Sequence, residues 1–258
     1  MTLTRPLFGL TALIITTSTV SACSDDTSTP GDPYADAVRL DAPLAYVRFQ
    51  DAAVTDVLGR AQVERHGVTI VDGPTGIGAR AGAFNGADWI SIGEDWQRIL
   101  GESPTGSFEA WVQFAPESGY VGIVSSDVTP GKGWVAISAM TGTVAYGRYF
   151  EDPSSGPASP VATPLAYPGD FSIASPVTEG VFHHVVATFG SRNVFYVDGV
   201  QVGTYSIALR LTDWQRIVVG AGSTSGVSAS HAKIAEVAIY GGPLTPSQVL
   251  AHYNARGK

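Results

Sequence analysis

The stretch Ser107-Phe108-Glu109-Ala110-Trp111-Val112-Gln113-Phe114 decides the fold. Apolar residues recur there at every second position, so a pleated strand carries Phe108, Ala110, Val112 and Phe114 on one face. Ser107, Glu109, Trp111 and Gln113 fall on the other. The same two-residue period marks 44–49 and 89–92, and further strand-like runs occupy 119–125, 134–139, 143–149, 182–189, 194–197, 217–220 and 233–240. Short strands separated by Gly, Pro, Asp and Ser clusters predict an all-β antiparallel sandwich or barrel. The clearest local signal is Val194-Phe195-Tyr196-Val197-Asp198-Gly199-Val200-Gln201-Val202. Its Asp-Gly pair supplies the positive φ angles of a type I′ hairpin turn.

One helix is expected, at the C-terminus. Thr245-Pro246-Ser247-Gln248 has the spacing of a capping box with proline at the first helical position, and Val249, Leu250 and Tyr253 follow as a short apolar face. Between strands, residues 151–170 hold Pro153, Pro157, Pro160, Pro164 and Pro168, which predicts a long irregular loop. The pentapeptide Asp-Trp-Gln-Arg-Ile occurs at 95–99 and again at 213–217 with poorly matching flanks, and is read as coincidence or two equivalent edge turns.

The N-terminal segment has a different character. Arg5 precedes the apolar run Leu7-Phe8-Gly9-Leu10-Thr11-Ala12-Leu13-Ile14-Ile15, far shorter than the roughly 20 residues that span a bilayer. It reads as an export signal, residues 1–22, ending in Val20-Ser21-Ala22-Cys23. Cys23 is the only cysteine of the chain, so neither an intramolecular disulfide nor a Cys2His2 zinc site can form. The motif resembles the lipobox of bacterial lipoproteins, in which the cysteine thiol is lipidated, and that resemblance assigns Cys23 as the lipid-bearing residue of an exported, envelope-anchored protein. Each buried methylene of such an anchor contributes ~0.8 kcal/mol, so two or three acyl chains hold firmly. Residues 23–39 are polar, acidic and broken by Pro30, Gly31 and Pro33, and are expected to form a flexible linker before a domain at 40–258. The net charge of -8 repels nucleic acid and anionic headgroups, leaving the lipid as the membrane contact.

Three stretches together resemble the LamG-like jelly-roll domains of the concanavalin A-like lectin and glucanase superfamily. They are Ser107-Phe108-Glu109-Ala110-Trp111-Val112, then Phe182-His183-His184-Val185-Val186-Ala187-Thr188-Phe189 with Tyr196-Val197-Asp198-Gly199-Val200, and Ala235-Glu236-Val237-Ala238-Ile239-Tyr240 before Leu244-Thr245. Tyr46-Val47-Arg48-Phe49-Gln50-Asp51 is similar to the family's first strand, and Phe84-Asn85-Gly86 to its usual Phe-Asp-Gly turn. The resemblance implies two stacked antiparallel sheets in a jelly roll, with ligands held at one rim or along the concave face. It implies no single activity, because the scaffold serves lectins, glycan hydrolases, adhesion modules and structural domains alike. Relatives that hold a structural calcium use an acid of the first strand and an Asp in the last-strand motif. Asp51 matches the first, but Ala235 stands where the second is usual, so a calcium site would be depleted.

The chemistry of hydrolases is missing. No Glu-x-Asp-x-Glu or Glu-x-Asp-x-x-Glu occurs, although glycoside hydrolysis on this scaffold needs two carboxylates facing one sugar. Neither a Gly-x-Ser-x-Gly elbow nor a His-Glu-x-x-His motif is present, and Gly76-x-Gly78-x-x-x-Gly82 misses the dinucleotide spacing and reads as a turn. His183 and His184 are adjacent in a strand, point to opposite faces and cannot share a metal. Trp111 is read as packing. The remaining aromatic cluster, Trp134, Tyr146, Tyr149, Phe150 and Tyr167, holds the candidate ligand contacts, with Trp134 and Tyr149 foremost. The expected function is non-catalytic binding of a carbohydrate or an envelope protein. The alternatives are an enzyme using Glu151, Asp152 or Asp170 of the long loop, and a structural envelope protein.

Overall fold

The computed structural model describes residues 31–50, 54–78, 80–93, 95–101, 105–116, 121–127, 133–150, 171–206 and 216–257. In chain order the elements are α1 (Pro33–Leu40), β1 (Ala45–Arg48), β2 (Thr55–Asp56), β3 (Gln62–His66), β4 (Thr69–Asp72), β5 (Arg80–Ala83), β6 (Trp89–Gly93) and α2 (Trp96–Leu100). Then follow β7 (Gly106–Gln113), β8 (Val121–Ser126), β9 (Gly133–Met140), β10 (Thr143–Phe150), β11 (Phe171–Pro176) and β12 (Phe182–Phe189). The chain closes with β13 (Asn193–Val197), β14 (Val200–Tyr205), β15 (Arg216–Val219), β16 (Lys233–Tyr240) and α3 (Pro246–Ala255).

Two sheets result, and every described strand pair is antiparallel. The nine-stranded sheet runs β14-β13-β12-β7-β16-β1-β2, with β5 pairing the early part of β16 and β4 pairing β5. The seven-stranded sheet runs β11-β10-β9-β8-β15-β6-β3. Their inner faces enclose one core. Phe108, Ala110 and Val112 of β7, with Phe114 just beyond its end, meet Ile90 and Ile92 of β6, Val135 and Ile137 of β9, and Val144 and Tyr146 of β10 there. The alternation read in 107–114 therefore assigns both faces of β7 correctly, because a strand with one face in the core cannot slip by one residue without turning that face outward.

The hairpin and the terminal helix form as their sequences dictate. Asp198 and Gly199 adopt φ of 52° and 77°, and Val197 pairs with Val200 across the turn. Thr245 caps α3, accepting from Gln248 N while the Gln248 side chain accepts from Thr245 N. Gly220, at φ 83°, tolerates no side chain, since a Cβ there would meet the Phe84 ring at 2.1 Å.

Two expectations need correction. Residues 33–39 are not a flexible linker: Pro33–Leu40 is helical, and Tyr34, Ala35 and Val38 are fully buried on the outer face of the nine-stranded sheet. Asp32 caps this helix through Ala35 N, Pro33 sits at its start, and Tyr34 and Val38 stack on one side, so capping and packing outweigh the polar average of the segment. The described parts of the two Asp-Trp-Gln-Arg-Ile copies are not equivalent. The first caps and opens α2, with Arg98 N donating to Asp95 Oδ1, whereas Arg216 and Ile217 of the second lie in β15. Residues 151–170, 1–22 and Cys23 lie outside the described residues.

Candidate binding face and a buried polar layer

The two sheets have outer faces of opposite character. Over the nine-stranded sheet, α1 and α3 form a second apolar layer in which Tyr34, Ala35, Val38 and Val249 pack on Tyr46, Trp111, Ala235, Ala238 and Tyr240. Trp111 is thus packing, as read from the sequence. Set into this layer is a polar cluster. Glu109 of β7, fully buried, accepts from Tyr34 Oη at 2.9 Å and from Tyr240 Oη at 2.5 Å. His184 Nε2 lies 2.7 Å from its Oε1, and His252 Nδ1 lies 3.1 Å from both carboxylate oxygens. His252 Nε2 in turn meets Asp41 at 2.9 Å. Despite burial, this set of donors holds the Glu109 carboxyl well below the usual carboxylate range, and Glu109 with Asp41 pushes the His252 pKa up against the opposing effect of burial.

A second carboxylate, Glu236, sits beside it. It occupies the bulge of β16, where the register against β7 shifts between Ala235 and Ala238, and its backbone has φ of 53°. Tyr46 Oη donates to Glu236 Oε2, and Arg48 Nε donates to Glu236 Oε1 at 2.8 Å. Arg48 also reaches Asp32 at 2.5 Å, joining the N-cap of α1 to the sheet. Burial, only partly offset by Arg48 and Tyr46, pushes the Glu236 carboxyl up to about 7. These residues were not singled out in the sequence. The bulge does leave a trace, because inward Ile234, Val237 and Ile239 are spaced by three and then by two.

The seven-stranded sheet has another kind of outer face. The positions alternating with its core residues are mostly small, Ser91 of β6, Ser125 of β8, Ala136 and Ser138 of β9, Ala145 and Gly147 of β10, with Val218 of β15 between Ser91 and Ser125, and all of them are buried. Ser138 Oγ is buried with no hydrogen-bond partner. On one flank His66 of β3 stacks on Trp89 of β6 with ring centroids 5.2 Å apart. On the other, Trp134 and Tyr149 are directly paired backbone positions of β9 and β10, in the same alternation as Ala136, Ser138 and Gly147. The single carboxylate among the described strand positions of this face is Glu64, which lies 3.6 Å from Arg216 and accepts from Ser91 Oγ at 3.3 Å. A nucleophile and acid pair is not assembled there from described strand residues.

The sequence candidates separate accordingly. Tyr146 is a core residue, wholly buried between the sheets with its hydroxyl donating to Asn193 Oδ1 at 3.2 Å, and so stands apart from the outer-face positions. Trp134 and Tyr149 share that face by register, while Tyr167 and Asp51 lie outside the described residues. His183 and His184 diverge as expected: His184 enters the buried layer, and the partly exposed His183 pairs with Asp198 at 2.7 Å. Ala235 is buried in the apolar layer, and no group of three or more His, Cys, Asp or Glu suited to a metal occurs among the described residues. No helix among them is long and apolar enough to cross a membrane.

Fold and faces define a two-sheet antiparallel jelly-roll sandwich with one face sealed by helices. The chain belongs to the laminin G type 3 family of the concanavalin A-like lectin/glucanases superfamily, whose profile matches residues 84–250. Among solved structures it is similar to the binding domain of Paraclostridial Mosquitocidal Protein 1, with TM-score 0.61 and 14% identity over 83% of this chain and 52% of that one. The binding domain of botulinum neurotoxin serotype D matches with TM-score 0.61 and 13% identity, over 84% and 52% of the two chains. The receptor binding domain of the botulinum neurotoxin mosaic serotype C/D matches with TM-score 0.62 and 14% identity, over 84% and 51%. The chain spans about half the length of these structures, and at such identity the likeness is one of fold. No curated protein matches the sequence.

Proposed function

We propose that this chain is a non-catalytic carbohydrate-binding module, held on the bacterial cell envelope by a lipid on Cys23, and that it takes its ligand on the outer face of the seven-stranded sheet. The observation that carries the reading is the aromatic positions on both flanks of that face, Trp89 stacked on His66 and the register pair Trp134 and Tyr149, around small side chains that are buried in this structure and include the unpartnered hydroxyl of Ser138. Aromatic rings stack on the apolar faces of sugars while a few fixed polar groups set orientation. The superfamily includes lectins as well as glucanases, and the structural neighbours are binding domains by name. The motif at Val20-Ser21-Ala22-Cys23 supports export and lipidation, and the acidic charge favours a domain that stands off the headgroups.

The test is binding of residues 31–258 to immobilised polysaccharides, run with calcium and with chelator. Saturable binding to a defined glycan, weakened by Trp134→Ala, is the expected result. Loss of binding with chelator would show that binding depends on a divalent cation, for which Asp51 is the first candidate ligand. Absence of binding to every glycan in both conditions would overturn the carbohydrate reading and direct the search to envelope proteins. For the anchor, labelled fatty acid should appear on the wild-type chain and not on Cys23→Ser.

A further inference from the structure

The helix α1 is fastened at three points by polar contacts to different parts of the fold, the middle one buried and the two at its ends part-buried. Its N-cap Asp32 receives Arg48 of β1, Tyr34 in its first turn donates to Glu109 of β7, and Asp41 at its C-terminal end meets His252 of α3. Between them, Tyr34, Ala35 and Val38 seal the sheet. We propose that α1 is a proton-dependent strap, closed on the sandwich while His252 and Glu236 both carry a proton and released from it when both have lost theirs.

The charges facing α1 make the case. Asp32 and Asp41 stand at its ends, and Asp36 pairs with Arg39 at 3.9 Å near solvent. Below it β7 presents Glu109, β12 His184, β1 Arg48 and Tyr46, β16 Glu236 and Tyr240, and α3 presents His252, with Arg256 lying over the Trp111 and Tyr253 rings. The hydroxyls of Tyr34, Tyr46 and Tyr240 have pKa values raised well above 10 and stay neutral throughout. Protonated His252 lies between Asp41 and Glu109 and offsets both. Neutral Glu236 leaves Arg48 to offset Asp32. Losing the two protons removes the His252 cation and creates the Glu236 anion, a net change of two charges beneath a helix whose ends are both carboxylates, and in a buried layer such charges are weakly screened. The inter-sheet core contains none of these groups, so the sandwich has no matching reason to open. Both groups shift upward, His252 from 6.5 and Glu236 to about 7, so the release comes as pH rises through neutrality. A released strap frees a segment of about ten residues, up to roughly 30 Å of extended chain, and uncovers Tyr46, Trp111 and Tyr240.

Amide hydrogen exchange of the full chain in detergent micelles, followed by mass spectrometry from pH 5 to 9, tests this. The readout is protection of the peptide covering α1 divided by that of the peptide covering β7, which cancels the intrinsic pH dependence of exchange. The ratio should hold steady to about pH 6.5 and fall at least tenfold by pH 8.5. Glu236→Gln, which fixes the uncharged form, should shrink that fall, and His252→Gln should show a lowered ratio already at pH 6. A constant ratio, a parallel loss of protection in α1 and β7, or a fall indifferent to Glu236→Gln would each overturn the strap.

Discussion

His184 Nε2 on β12 lies 2.7 Å from Glu109 Oε1 on the neighbouring β7, with neither side chain reached by solvent. In register His184 stands opposite Trp111, so the contact to Glu109 is a diagonal one, within reach of long side chains. The same carboxylate also collects Tyr34, Tyr240 and His252, and thereby ties α1, β16 and α3 to the centre of one sheet. Removing one partner of a buried charge cluster leaves the others uncompensated, which costs about 3–5 kcal/mol. Glu109→Ala is therefore expected to lower the free energy of unfolding in urea by that amount. A loss below about 1 kcal/mol would show that the carboxylate has little part in stability.

The same cluster sets the pH at which the protein is most stable. Glu109 is held far below its ordinary 4.5, so its contribution is present above pH 4.5 and lost as pH falls through its folded value. His252 is raised from 6.5, so its contribution is present below 6.5 and lost as pH rises through the folded value. Glu236 ionises near 4.5 when unfolded and at about 7 when folded, so stability declines between those values. His183, raised chiefly by its hydrogen bond to Asp198, adds to the alkaline loss. Urea midpoints measured from pH 3 to 9 should peak between about 4.5 and 6, and Glu236→Gln should flatten the decline above the peak. A maximum at pH 8 would contradict the assignment.

Asp56 predicts a loop rather than a layer. Its carboxylate accepts from Tyr46 N at 2.8 Å, Leu58 N at 3.1 Å, Arg60 N at 2.8 Å and Ala61 N at 2.9 Å, so one side chain satisfies the turn that leads from β2 toward β3. Asp56→Ala strands several amides at once and should cost about 2–4 kcal/mol, whereas Asp56→Asn keeps part of the set and should cost about half as much. Thermal melts of both variants check the order. Equal effects would mean that packing, not these hydrogen bonds, makes the site sensitive.

How far the sequence discloses these features depends on the range over which each is decided. The faces of β7, the Asp198-Gly199 turn and the capping box of α3 follow from contacts within a few residues, and each was legible. The strands β2 to β5 and β11 were not singled out, because they are short or lie at sheet edges, where half-burial leaves little alternation to see. Helix α1 was concealed by averaging: Asp32-Pro33-Tyr34 is a good helix start, but it lies in a polar stretch whose mean composition suggests disorder. The polar layer was least legible, since Glu109 meets His252 and Tyr46 meets Glu236 across the whole length of the chain. Of the candidate site, Trp134 and Tyr149 are register partners on β9 and β10, while Tyr146 was drawn in by its place in the sequence and belongs to the core.

That division between Tyr146 and its neighbours yields a double test of the binding face. Tyr146 lies in the core, tilted against Phe195 with ring centroids 5.9 Å apart, and its hydroxyl serves Asn193. Tyr146→Phe removes a buried hydrogen bond and should lower stability by about 1 kcal/mol while leaving glycan affinity unchanged. Trp134→Ala and Trp89→Ala remove aromatic positions from opposite flanks of the outer face, and each should weaken binding about tenfold, equivalent to about 1.4 kcal/mol. If both tryptophans contact one extended ligand, the longest oligosaccharides lose most from either change, because only they reach from β9 to β6 across β8 and β15. Titration calorimetry with oligosaccharides of increasing length resolves this. Equal losses at every length would place the ligand on one flank alone, and a stronger effect of Tyr146→Phe on affinity than on stability would move the site into the rim between the sheets.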